Sequence, residues 1–243
     1  MKHKTGHLNL KPEGGDLISE SYLMDCMQGM SEYPDKYFDL AVVDPPYGIG
    51  EDGGRARTRG SKKTNGVKKG WDNERPQMEY FTELFRVSKE QVIWGGNYFA
   101  DLLPASRCWI YWRKVMGGDF ADGELAWTSF DKVLKEYTKR SETFDRIHPT
   151  QKPIELYDWL YLNYATAGMK ILDTHLGSGS NRIAAYKNRL HFVGFEIDEE
   201  YFYMQEGRFE KFLRSPTLFS TPRAVGVLNS NAPTLNFEQS TEL

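Results

Sequence analysis

Leu40-Ala41-Val42-Val43-Asp44-Pro45-Pro46-Tyr47-Gly48 is an apolar run that stops at a carboxylate, two prolines and an aromatic ring. The stretch from Phe38 to Val43 is apolar and partly β-branched, which suits a strand buried in a parallel sheet. The chain must leave the sheet at Asp44. Neither Pro45 nor Pro46 donates a backbone hydrogen bond and each fixes its φ, so the segment is a stiff arm with exposed carbonyl oxygens. An exocyclic amino group carries two N–H donors. Asp44 and the Pro45 carbonyl can hold both and leave the nitrogen lone pair aimed at an electrophile. Tyr47 then supplies a ring to stack on the ring that carries the amine. A plain Asp-Pro turn at a strand end has the same look, and the segment alone leaves both readings open.

A second element shifts the balance. Met169-Lys170-Ile171-Leu172-Asp173-Thr174-His175-Leu176-Gly177-Ser178-Gly179-Ser180 reads as strand, small-residue loop and helix start. Gly177 and Gly179 let the backbone pass close to a ligand, and Ser180 opens a helix to about Lys187. His191-Phe192-Val193-Gly194-Phe195-Glu196-Ile197-Asp198 follows, a second apolar strand that ends in an acid about twenty residues on, where a ribose diol would be held. This spacing equally suits a nicotinamide dinucleotide, so the turn does not name its cofactor.

Together, and in this order, the two elements carry a family resemblance. The chain resembles the amino-group (N4/N6) DNA methyltransferases of the beta arrangement, in which Asp-Pro-Pro-Tyr precedes the glycine loop. The resemblance runs from about Leu17 to Phe212. Met24-Asp25-Cys26 resembles the family's acidic motif at the cofactor adenine. Val92 to Phe99 and Cys108 to Lys114 look like its next two strands. His148-Pro149-Thr150-Gln151-Lys152-Pro153 is the most specific match. The resemblance implies a Rossmann-like S-adenosylmethionine-dependent methyltransferase fold, a three-layer α/β sandwich around a mostly parallel seven-stranded sheet. It also implies S-adenosyl-L-methionine as cofactor, held by Asp25, Cys26, Asp44, Thr150, Lys152, Asp173, Gly177, Gly179, Ser180, Glu196 and Ile197. Catalysis falls to Asp44, Pro45, Pro46 and Tyr47, acting on the N6 amine of an adenine flipped out of double-stranded DNA. Phe99 or another aromatic is expected against the methylsulfonium or the base. Cytosine N4 is the nearest alternative target, with Asp rather than Ser at position 44 favouring adenine. RNA or protein methylation is disfavoured by the motif order, and a non-catalytic DNA-binding module by the intact Asp44, Tyr47, Gly177 and Glu196. A homodimer and a restriction endonuclease counterpart are the further partners this family allows.

Composition agrees without deciding. At 243 residues, 1–214 read as one domain large enough for such a core, and 215–243 as a flexible tail rich in Pro, Ser, Thr and Asn. A net charge of −3 gives no global attraction to nucleic acid. Two cysteines, Cys26 and Cys108, offer neither a disulfide framework nor metal spacing, so no metal is expected and a reducing cytoplasm is the natural compartment. Cys26 lacks a base nearby in sequence and reads as a structural thiol, not a nucleophile. No apolar stretch suits a signal peptide or a membrane span.

Along the chain the spacing predicts helices over Gln77 to Val87 (Met78, Phe81, Leu84 and Phe85 on one face), Asn97 to Leu102, Phe120 to Trp127, Ile154 to Ala167 and Glu199 to Leu213. It predicts strands at Gln91 to Trp94, Arg107 to Arg113 and Lys132 to Tyr137. Tyr157, Tyr161 and Tyr164 read as core. Glu51 to Gly70 stands outside this alternation: Arg55, Arg57, Arg59, Lys62, Lys63, Lys68 and Lys69 face only Glu51 and Asp52. It departs directly from Tyr47, so it is the expected DNA-binding loop, touching phosphates beside the flipped base. Only Ser129 to Ile147 stand where the family carries its target-recognition region, so the target sequence is not readable.

Overall fold

The computed structural model describes residues 17–50, 70, 72–115, 121–140 and 146–215. The basic residues between Arg55 and Lys69 and the expected tail from 216 onward lie outside them. Among the described residues, eight strands form one sheet: β1 (Ser19–Leu23), β2 (Phe38–Val43), β3 (Ser88–Trp94), β4 (Trp109–Arg113), β5 (Gly123–Thr128), β6 (Lys135–Thr138), β7 (Lys170–Asp173) and β8 (His191–Glu196). Their spatial order is β1-β8-β7-β2-β3-β5-β4-β6. Within this sheet only β5 pairs antiparallel, with β3 on one side and β4 on the other.

Five helices accompany the sheet in the described residues: α1 (Cys26–Ser31), α2 (Met78–Val87), α3 (Ile154–Tyr164), α4 (Ser180–Lys187) and α5 (Glu199–Leu213). The period-2 alternation of β2 explains the layers. Leu40 and Val42 join a core that includes Leu156 and Leu160 of α3 and Ala184 of α4. Ala41 and Val43 point the other way and join Met30 of α1 and Phe81 and Leu84 of α2. A strand covered on both faces must be apolar throughout, as β2 is.

The expected α/β class and most elements are present, and the tyrosines of α3 are buried. Four expectations change. The sheet has eight strands, not seven, because β1 and the short β6 occupy its edges. The helix expected over Phe120 to Trp127 does not form in its described residues, 121–127: residues 123–128 form β5, where Ala126 enters one core and Trp127 the other. A short apolar run such as Leu125-Ala126-Trp127 reads alike as helix or strand, and pairing on both sides decides. Around Asn97 only a 3-10 turn forms, Gly96–Tyr98. On α2, Met78 is exposed, while Tyr80 and Val87 are buried in its place.

Candidate active site

Four neighbouring strands each bring an acid to the same edge of the sheet. In spatial order β1, β8, β7 and β2, the acids are Asp25 just beyond β1, Glu196 and Asp173 at the ends of β8 and β7, and Asp44 just beyond β2. Ligands of open α/β sheets bind beyond the carboxyl ends of the strands, where the strand order reverses. A cleft lies there, lined by Asp25, Cys26, Asp44, Pro46, Glu196 and Ile197. Thr150 and Lys152, ahead of α3, and Gly177 and Ser180, between β7 and α4, line it too. Pro45, Tyr47, Asp173 and Gly179 are adjacent in sequence to lining residues but are not themselves among the residues that line it.

Local sequence explains the placement. Asp25 caps α1, accepting from the backbone N–H groups of Met27 at 2.9 Å and Gln28 at 3.2 Å. Glu196 accepts from Gly177 N at 2.8 Å through Oε2 and from Asp198 N at 2.9 Å through Oε1. It thereby ties the glycine loop to the end of β8 and keeps further lone pairs on both oxygens. Gly179 caps α4 at φ +69°, a left-handed conformation that suits glycine. Asp173 is buried, with Oδ1 accepting from His175 N at 3.0 Å and Oδ2 from Asn181 Nδ2 at 2.9 Å.

Asp44 has a different neighbourhood. The Tyr47 hydroxyl donates to Oδ1 at 2.6 Å, and the Lys152 ammonium donates to Oδ2. Lys152 is buried and also reaches Glu124 Oε2 at 3.2 Å. Sequence reasoning assigned Lys152 to the cofactor set; it lines the cleft, and its ammonium sits on the carboxylate that begins the Asp-Pro-Pro-Tyr segment. The ring of Tyr47 stacks on Tyr98, centroids 4.8 Å apart and planes 14° apart. A Cβ on Gly95 would overlap the Tyr47 ring, so only glycine lets this ring lie where it does. Phe99 is wholly buried and meets Tyr47 edge-on, a core residue and not a wall of the cleft.

The charges follow from burial and neighbours. Burial pushes Asp173 up to about 7, with Asp44 and Glu196 adding to it against the Asn181 and His175 donors. Burial likewise raises Glu196 above the ordinary carboxylate range. His175 is pulled down to about 4 by burial and is neutral at neutral pH. Burial disfavours the Lys152 ammonium, but Asp44 and Glu124 outweigh it and hold the group above its usual value. The Cys26 thiol is pushed up to about 12 by burial and by Asp25, which excludes a thiolate nucleophile.

Sequence reasoning missed Tyr98, Glu124, Thr174 and His175. His175 lines the cleft and places Nδ1 2.9 Å from Thr174 Oγ1. Its position two residues after Asp173 in the loop was the available signal. Tyr157, read as core, is core and also lines the cleft. Among the described residues no group of three metal-ligating side chains is present, and no helix is long and apolar enough to cross a membrane.

Comparisons with known proteins agree with this geometry. Residues 93–206 match the family model described as DNA methylase. The chain is 25% identical over 192 residues to the Escherichia coli (strain K12) protein named "Putative methylase YubD", across 73% of this chain and 84% of that protein. It is also 25% identical over 144 residues to the Lactococcus lactis subsp. cremoris type II methyltransferase M2.LlaDCHI, across 58% of this chain but 49% of that enzyme. The fold is similar to that of the cytosine-N4-specific PvuII DNA methyltransferase, with TM-score 0.56 at 14% identity, covering 81% of this chain and 91% of that one. It is similar too to M1.HpyAVI, solved with S-adenosylmethionine, with TM-score 0.54 at 17% identity, covering 78% and 98%. In sequence over residues 93–206 and in fold, the chain is thus similar to DNA methylases.

Proposed function

We propose that this chain transfers a methyl group from S-adenosylmethionine to the exocyclic N6 amine of an adenine flipped out of duplex DNA. The observation that carries the reading is that Asp44 and the Gly177–Glu196 loop pair open into one cleft, so an amine at the first and a nucleoside cofactor at the second can meet. The residues fit that cofactor. Glu196 keeps acceptor capacity on both oxygens for a ribose diol, and the acids that line the cleft, Asp25, Asp44, Glu196 and Asp198, suit a cationic ligand. S-adenosylmethionine, when bound, supplies the electrophilic methyl group.

The chain's own groups orient the nucleophile. The Asp44 carboxylate and the Pro45 carbonyl accept the two amine N–H bonds, which points the nitrogen lone pair toward the methyl donor. As positive charge develops on nitrogen, Asp44 stabilises it and accepts the proton that leaves. Each Asp44 oxygen keeps a lone pair for this beside Tyr47 and Lys152. Tyr47, bonded to this carboxylate and stacked on Tyr98, is the ring on which a flipped base would stack. The choice of adenine over cytosine rests on Asp rather than Ser at position 44. A homodimer and an endonuclease counterpart stay with the family resemblance alone.

The test is incubation of the purified protein with isotope-labelled S-adenosylmethionine and DNA, digestion, and mass spectrometry of the nucleosides. Label in N6-methyladenine is the expected result, and label in N4-methylcytosine would transfer the reading to the other base. Asp44→Ala should lose at least about three orders of magnitude in single-turnover rate with DNA affinity little changed. A variant that keeps more than about a tenth of the wild-type rate would overturn the role of Asp44.

A further inference from the structure

Behind the cleft the side chains form a continuous chain of alternating charge. Lys114, just past β4, donates to Glu124 Oε1; Glu124, on β5, stands 3.2 Å from Lys152 through Oε2; Lys152 donates to Asp44; and Asp44 accepts from Tyr47. Both ammonium groups lie over indoles, Lys114 at 4.9 Å from the Trp112 ring centroid and Lys152 at 5.3 Å from that of Trp94. The two indoles meet edge-on at 6.3 Å. These charges are held by packed aromatic surface, where electrostatic coupling is stronger than in water.

We propose that Glu124 is a positioning residue for methyl transfer, acting on Asp44 through Lys152. The inference rests on the proposed amine methylation, because it concerns how its carboxylate is held. A buried lysine with Asp44 as its sole counter-ion would pair with that carboxylate alone and compete with the target amine for it. Glu124 divides the lysine's charge between two acids and fixes the ammonium at one place. Asp44 Oδ2 therefore keeps its orientation and a lone pair for the target amine. Lys114 in turn neutralises Glu124, so the four groups Lys114, Glu124, Lys152 and Asp44 carry no net charge. Burial works against the Glu124 carboxylate, yet Lys152 and Lys114 hold it below its ordinary range.

Glu124→Gln keeps the shape and removes the charge. It should lower kcat by about tenfold to a hundredfold while the KM values for cofactor and DNA change less than about threefold. A pH profile separates this from a structural lesion. The groups facing Lys152 are Asp44 after β2, Glu124 on β5 and, through Asp44, Tyr47; Tyr157 of α3 lies near the same carboxylates. Loss of Glu124 removes one of the two carboxylates that raise Lys152, so the alkaline limb of the kcat profile should move to lower pH. Lys114→Met should cost less, and the double variant should be no slower than Glu124→Gln, because Lys114 acts through Glu124. Unchanged kcat in a folded Glu124→Gln protein, or losses of kcat that add independently in the double variant, would overturn the inference. A wild-type protein that binds S-adenosylmethionine by calorimetry yet methylates no DNA would overturn the functional reading first and this inference with it.

Discussion

The Tyr47 hydroxyl donates a 2.6 Å hydrogen bond to Asp44 Oδ1, across the two prolines that separate them in sequence. Pro45 and Pro46 make this pairing possible by holding the arm stiff, so the ring returns over Gly95 and beside the carboxylate. Tyr47 thus has two separable jobs, a hydroxyl that orients Asp44 and a ring that stacks. Burial and the adjacent Asp44 charge raise the phenol far above its ordinary range, so it remains a donor throughout the working pH range.

Tyr47→Phe keeps the ring and removes the donor. It should slow single-turnover methylation by about tenfold, the cost of one hydrogen bond to a charged group, with DNA affinity unchanged. Tyr47→Ala removes the ring as well and should lose at least about another tenfold, with weaker fluorescence change from 2-aminopurine at the target position. Equal rates for the two variants would show that the stacking surface contributes nothing.

Glu196 joins the glycine loop to the end of β8. With Gly177 N and Asp198 N already on its oxygens, it should accept charge-assisted hydrogen bonds from a ribose diol, each worth roughly 1.5–3 kcal/mol. Glu196→Ala should weaken S-adenosylmethionine binding about tenfold or more by calorimetry. Unchanged affinity would mean that Glu196 serves only to fasten the glycine loop.

Two groups of the same loop should oppose each other in acid stability. Asp173 is raised to about 7 from 3.8, so its contribution is fully present below 3.8 and is lost as pH rises through about 7. His175 is lowered from 6.5 to about 4, so its contribution is present above 6.5 and is lost as pH falls toward about 4. Between pH 4 and 6.5 the slopes have opposite signs and largely cancel in the wild type. Asp173→Asn should therefore lose stability on acidification across this window relative to wild type, and His175→Phe should gain, each by about 5 °C in Tm. Parallel Tm curves for all three proteins would refute the assignment of both groups.

What was legible in the sequence follows from how far apart the interacting residues lie along the chain. Asp44, Asp173 and Glu196 each close an apolar run, so strand and acid are read in one glance, and the sheet edge that gathers them follows from the class of fold. Lys152 stood out in its motif, but its partner did not, since Asp44 lies 108 positions away. Glu124 was hidden twice: its segment has an apolar pattern compatible with a helix, and its charge partners arrive from β4 and from the segment before α3. Tyr98 likewise reads as an ordinary turn residue until the fold lays it on Tyr47.

Nucleic-acid affinity in a chain of net charge −3 must be local. The Asp72 carboxylate accepts from Tyr47 N at 2.7 Å and Gly48 N at 2.8 Å, and its carbonyl accepts from Gly50 N at 2.9 Å. The basic stretch holding Arg55, Arg57, Arg59, Lys62, Lys63, Lys68 and Lys69 is therefore entered and left beside Tyr47, at the end of the Asp-Pro-Pro-Tyr arm. If this segment holds the phosphates flanking a flipped base, each phosphate that is neutralised releases counterions. Neutralising Arg55, Arg57, Arg59, Lys62 and Lys63 together should weaken DNA binding and flatten its salt dependence, by about 0.9 in log K per log salt for each phosphate the variant no longer holds. Single-turnover methylation at saturating DNA should fall less than affinity does, if these residues hold the duplex while the proposed Asp44 and Tyr47 act on the base. If the five-fold variant keeps the wild-type salt slope, the duplex must be held instead by residues 216–243, by Ser129 to Ile147, or by a second copy of the chain.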